Sequence, residues 1–90
     1  MESKLYLIVY SQSATNHEQV KAYLNQNGDI IKHWFYNING TIFIKTTFQT
    51  ATEVSQFFEK GVGKCRHFVT EVSTNRNGRL PIKHWALIKK

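Results

Sequence analysis

The sequence predicts an α+β fold, an antiparallel sheet carrying two helices on one face. Three observations predict it. Two strand-like runs, residues 30–36 and 41–46, are joined by Asn37-Ile38-Asn39-Gly40. An Asn-Gly pair between apolar runs is a strong short-range hairpin signal, because both residues accept positive φ at little cost. On either side of this hairpin the sequence repeats one design, a strand with a short amphipathic helix. Both helices are announced by the same start signal, a Thr followed three residues later by a Glu.

Residues 5–10 form the first expected strand, with Leu5, Leu7 and Val9 alternating against Tyr6, Ile8 and Tyr10. Both faces are apolar, as expected of a central strand covered on both sides. Thr15-Asn16-His17-Glu18 reads as a capping box, and Val20, Tyr23 and Leu24 fall on one helical stripe. Asn27-Gly28 supplies the expected left-handed stop. After the hairpin, Thr50-Ala51-Thr52-Glu53 is a second capping box and Val54, Phe57 and Phe58 repeat the stripe. Gly61 with Gly63 is expected to end that helix, and residues 65–72 form the fourth strand, with Phe68 and Val72 on one face. Strand–helix–strand–strand–helix–strand is the ferredoxin-like order, βαββαβ. Beyond the turn Asn75-Arg76-Asn77-Gly78, Pro81 suits the first position of a helix, and Ile82, Trp85 and Ile88 keep helical spacing. A short C-terminal helix is expected there, with a fifth strand over 83–88 as the competing reading.

Ninety residues make one domain, residues 1–90, and a chain of this size buries roughly 60–65% of its unfolded surface. No apolar run of about 18 residues marks a membrane helix. The chain moves from Glu2 straight into a strand, unlike a basic leader with a cleavage site. The single cysteine, Cys65, forms no internal disulfide. A cytoplasmic protein without cofactor or membrane partner is the expectation. Charge is uneven along the chain. Residues 1–59 hold four cations against five acids, a net of −1. Residues 60–90 hold Lys60, Lys64, Arg66, Arg76, Arg79, Lys83, Lys89 and Lys90 against Glu71 alone, a net of +7. Concentrated positive charge favours polyanions through attraction and counterion release.

If Leu5, Leu7, Val9, Ile42 and Ile44 face the helices, the bare face of the sheet carries Tyr6, Ile8, Tyr10, Phe43 and Lys45. Aromatics beside a lysine on an open sheet can stack single-stranded bases, as in the RRM. The same face can equally be a dimer interface, buried against its copy, and Ile8 between two tyrosines favours that second use. Cys65 and His67 are two apart on the expected strand and share a face, so a nucleophile–base pair is conceivable, with no third group evident to orient the histidine. His17, His33, His67 and His84 lack the spacing of a metal site. Gly61-Val62-Gly63-Lys64 lacks the Walker spacing and follows a helix, so it reads as helix termination. Arg76, Arg79, Lys83 and His84, at a turn and a helix start, offer charges and free amides to phosphate.

The first strand Tyr6-Leu7-Ile8-Val9-Tyr10, the hairpin from His33 to Ile44 and the tail from Asn77 to Ile88, with its Gly-Leu-Pro…Trp segment, give the chain a family likeness. It resembles the small ferredoxin-like CRISPR-associated adaptation proteins and the SinR-like proteins grouped with them. The resemblance implies a homodimer built across the sheets and association with nucleic acid. Members credited with nuclease activity place an aspartate at the end of the first strand, where two subunits share a metal ion. Ser11 stands there in this chain, and a neutral hydroxyl cannot replace a carboxylate in holding Mg²⁺.

Together these readings give a non-catalytic homodimer that binds RNA or DNA through backbone phosphates. Lys60, Lys64, Arg66, Arg76, Arg79, Lys83 and His84 are the candidate contacts. The alternatives are a protein-interaction module (an inhibitor or toxin–antitoxin component, with an acidic partner) and a metal-dependent ribonuclease.

Overall fold

The computed structural model describes residues 3–11, 17–36, 40–63 and 65–73. In chain order these form β1 (Lys4–Tyr10), α1 (His17–Gln26), β2 (Ile31–Tyr36), β3 (Thr41–Thr46), α2 (Ala51–Val62) and β4 (His67–Glu71). The strands make one antiparallel sheet in the order β2-β3-β1-β4 with both helices packed on one face, a ferredoxin-like architecture. No helix among the described residues is long and apolar enough to cross a membrane. Thr15 and Asn16 of the first capping box, Asn37-Ile38-Asn39 of the hairpin turn, and the C-terminal helix or strand lie outside the described residues.

Helix α2 starts as the sequence predicts. The Thr50 hydroxyl accepts from the Glu53 amide at 3.2 Å, and the Glu53 carboxylate accepts from the Thr50 amide at 3.1 Å. Its end differs from expectation: Gly61 lies within the last turn, and Gly63, at φ 85°, caps the helix by donating its amide to the Glu59 carbonyl. Tyr23 on α1 explains the inner glycine, because its ring lies where a Gly61 Cβ would stand. Helix α1 ends without a left-handed residue, since Gly28 has no positive φ. The Asn27 side chain caps it instead, donating to the Tyr23 carbonyl at 2.8 Å, while the Asn27 carbonyl accepts from the Ile30 and Ile31 amides.

The core lies between the helices and one sheet face. Tyr6, Ile8 and Tyr10 of β1 and Ile42 and Ile44 of β3 meet Val20 and Leu24 of α1 and Val54, Phe58 and Val62 of α2. Full burial of an aliphatic or aromatic side chain contributes about 1.5–3 kcal/mol, so this contact carries most of the stabilisation. The expected facing of β1 is therefore reversed: Tyr6, Ile8 and Tyr10 are core residues, neither a stacking surface nor a dimer face. The register explains why. Tyr6 opposes Ile44 and Ile8 opposes Ile42, so these four share a face, while Leu5 and Leu7 oppose Lys45 and Phe43. Of the five residues expected on the bare face, only Phe43 and Lys45 point away from the helices.

Polar groups inside this contact are managed individually. The Tyr6 hydroxyl donates to the Phe48 carbonyl at 3.0 Å and the Tyr23 hydroxyl to the Phe57 carbonyl at 2.8 Å. Thr46 is fully buried, and its hydroxyl donates to the Ile30 carbonyl at 2.9 Å while accepting from the Phe48 amide at 3.4 Å. The Tyr10 hydroxyl is buried with no partner among the described residues.

Candidate functional site

The sheet face turned away from the helices divides into two ends. At one, Leu5 and Phe35 are buried, with Phe43 and Val72 packed against them and the Phe35 and Phe43 rings stacked at 4.8 Å. At the other, Val9 and Phe68 stand directly opposite each other across β1 and β4 and are exposed, by 42% and 65% of their surface. These are the exposed large hydrophobic side chains among the described residues, and they are neighbours.

A cation completes this end. Arg66, immediately before β4, is exposed, and its carbonyl accepts from the Ser11 amide at 2.9 Å, which carries the β1–β4 pairing past Tyr10. Arg66, Phe68, Val9 and Ser11, with Tyr10 and His67, line a shallow cavity of ≈ 380 Å³. An exposed aromatic ring, a guanidinium and an aliphatic floor in one depression offer a base-stacking platform with a phosphate partner beside it.

The sequence-predicted site residues are distributed as follows. Arg66 belongs to the depression. Lys60 is exposed in the last turn of α2. Lys64, Arg76, Arg79, Lys83 and His84 lie outside the described residues. Phe43 and Lys45 share the open face with Phe68 at its covered end. The sequence reading missed Val9 and Phe68 as site residues because it turned Val9 towards the helices. The alternation in β3 places Ile42 and Ile44 inward and Lys45 outward as expected, but only the register of β1 against β3 turns Val9 outward.

On the helix side of β4, His67 packs its ring on Phe58 with centroids 5.3 Å apart. Its Nδ1 lies 2.9 Å from the Cys65 backbone carbonyl and its Nε2 lies 2.6 Å from the Ser55 hydroxyl. The pairing of Cys65 with His67 as nucleophile and base does not form, since the histidine meets the cysteine's backbone and not its thiol. Burial, followed by the nearby Glu59 carboxylate, pushes the Cys65 thiol above its usual range, away from thiolate reactivity.

Ser11, where the resemblance would place a metal-binding aspartate, follows the last residue of β1. Among the described residues no three His, Cys, Asp or Glu side chains come together as a metal-binding group. Comparison with protein-family models, curated proteins and solved structures gives no match for this chain.

Proposed function

We propose that this chain binds single-stranded nucleic acid at the exposed end of its sheet, with one base laid on Phe68 and the adjoining phosphate on Arg66. The observation that carries the reading is the exposure of the Phe68 ring beside an exposed arginine in a shallow depression. A formal charge of +6, concentrated after residue 59, supplies the long-range attraction for a polyanion. The resemblance to the small CRISPR-associated and SinR-like proteins agrees with this reading and adds a homodimer, which we include in the proposal. RNA and DNA share the chemistry used here, a stacking face and a phosphate, so both are substrates of the test.

Stacking and charge are separable. Fluorescence anisotropy with labelled oligo-U and oligo-dT, read over a range of salt, is the assay. Phe68→Ala should weaken binding about tenfold to a hundredfold, the loss of one stacked base, with the salt slope retained. Arg66→Glu should weaken binding and lower the slope of log affinity against log salt by about one or more. Unchanged affinity in Phe68→Ala removes the platform. Loss of self-association in that variant, with nucleic-acid binding intact, assigns the patch to a protein interface.

A further inference from the structure

The geometry points to a second site on the opposite side of β4, in which Ser55 is a nucleophile with His67 as its general base, acting on small carboxylic esters. It does not rest on the nucleic-acid reading, although His67 and Phe68 border both cavities.

The Cys65 carbonyl at 2.9 Å only accepts hydrogen bonds, so it fixes the His67 proton on Nδ1. In the neutral ring this leaves the Nε2 lone pair facing the Ser55 hydroxyl 2.6 Å away, which donates to it. A nucleophile bonded to a base, and the base oriented by a third group, is the arrangement that activates a serine. Here a backbone carbonyl takes the orienting position that an aspartate fills in a triad. The Phe58 ring against the imidazole adds a second restraint on its orientation.

The pair also opens onto space. Ser55, His67, Ala51, Thr52, Gln56 and Phe68 line a cavity of ≈ 300 Å³, and Ser55 is only half-buried. Ala51 and Thr52 precede Ser55 by four and three residues and so share its helix face. They occupy the first turn of α2, where backbone amides have no intrahelical acceptor. These amides, with the Thr52 hydroxyl and the Gln56 side chain, are the available donors for an oxyanion. Val69 and Ala51 provide apolar walls suited to a short acyl chain.

The reaction balances without any added reagent. As Ser55 Oγ bonds to the ester carbonyl carbon, its proton passes to Nε2. The tetrahedral oxyanion collapses, the C–O bond to the leaving group breaks, and the departing oxygen takes the proton from Nε2. Water, deprotonated by the same nitrogen, then cleaves the acyl-serine, releasing the carboxylic acid and restoring Ser55.

Two measurements on the full chain test this. Incubation with an alkyl fluorophosphonate and peptide mapping should place one phosphonyl group per chain on Ser55. His67→Gln should label at least about a hundredfold more slowly, the usual contribution of a general base. Hydrolysis of p-nitrophenyl acetate and butyrate should fall to the buffer rate in Ser55→Ala, with circular dichroism melts checking that both variants fold. Mapping on the unaltered protein needs no variant, so it stands even if a substitution disturbs folding. Absence of label on Ser55, equal labelling in folded His67→Gln, or undiminished turnover in folded Ser55→Ala overturns the proposal and leaves a structural hydrogen bond.

Discussion

Replacing Gly61 with alanine should destabilise this protein, against the usual helix preference. In a helix interior the exchange normally gains about 1 kcal/mol. Here the new Cβ would run into the ring of Tyr23, at the ring's flank and not at a flexible tip. The ring cannot swing away freely. Its hydroxyl donates to the Phe57 carbonyl at 2.8 Å, and its centroid lies 4.8 Å from that of Phe57. Moving it loses a hydrogen bond of about 1 kcal/mol and an aromatic contact of similar size. Residual overpacking adds about 1 kcal/mol or more. Set against the helix gain, the net loss is about 2 kcal/mol, a fall in Tm of about 8–16 °C for a domain of this size. Thermal and urea unfolding followed by circular dichroism measure it. The Tyr23→Ala background provides the control, because without the ring Gly61→Ala should recover its stabilising sign. A Gly61→Ala protein as stable as the parent would refute the argument.

Two further outcomes follow from the tyrosines. Tyr10→Phe removes a buried hydroxyl that has no partner among the described residues, so it should leave stability unchanged or raise it by about 1 kcal/mol; a loss beyond 1 kcal/mol in urea titration would contradict that (~1 kcal/mol being one ordinary hydrogen bond). Burial, the leading cause at each, pushes the Tyr6, Tyr10 and Tyr23 phenols above their ordinary value of 10.0. The folded chain then keeps protons that the unfolded chain releases above about pH 10, so the tyrosines' contribution is intact below that pH and is lost as pH rises through the folded values. The urea midpoint should decline above pH 10 more steeply than in Tyr10→Phe, and equal slopes would exclude Tyr10 as a contributor.

Local chemistry was readable wherever its partners lie close in sequence. Thr50 and Glu53 are three residues apart and form the capping box their spacing implies. The hairpin and the alternation of β3 were legible for the same reason. What depended on register was not. Both faces of β1 are apolar, so its pattern alone cannot say whether Tyr6 or Leu7 meets the helices; the pairing of Tyr6 with Ile44 decides it. Gly61 and Gly63 looked like one helix stop, and only Tyr23, far earlier in the chain, separates their roles. Ser55 escaped notice because it reaches His67 through the packing of α2 on β4, twelve residues apart, whereas strand spacing pointed to Cys65.

The strand order has a consequence for assembly of the molecule. β1 is flanked by β3 on one edge and β4 on the other, so the earliest strand is completed only by the latest of the described ones. A nascent chain that has delivered β1 to β3 but not residues 67–71 presents one row of amides and carbonyls of β1 without its eventual neighbour. Such an edge pairs readily with a like strand from another molecule. Variants that delay or weaken docking of β4 should therefore show their harm first as poor yield during synthesis, before any change in the purified, folded protein.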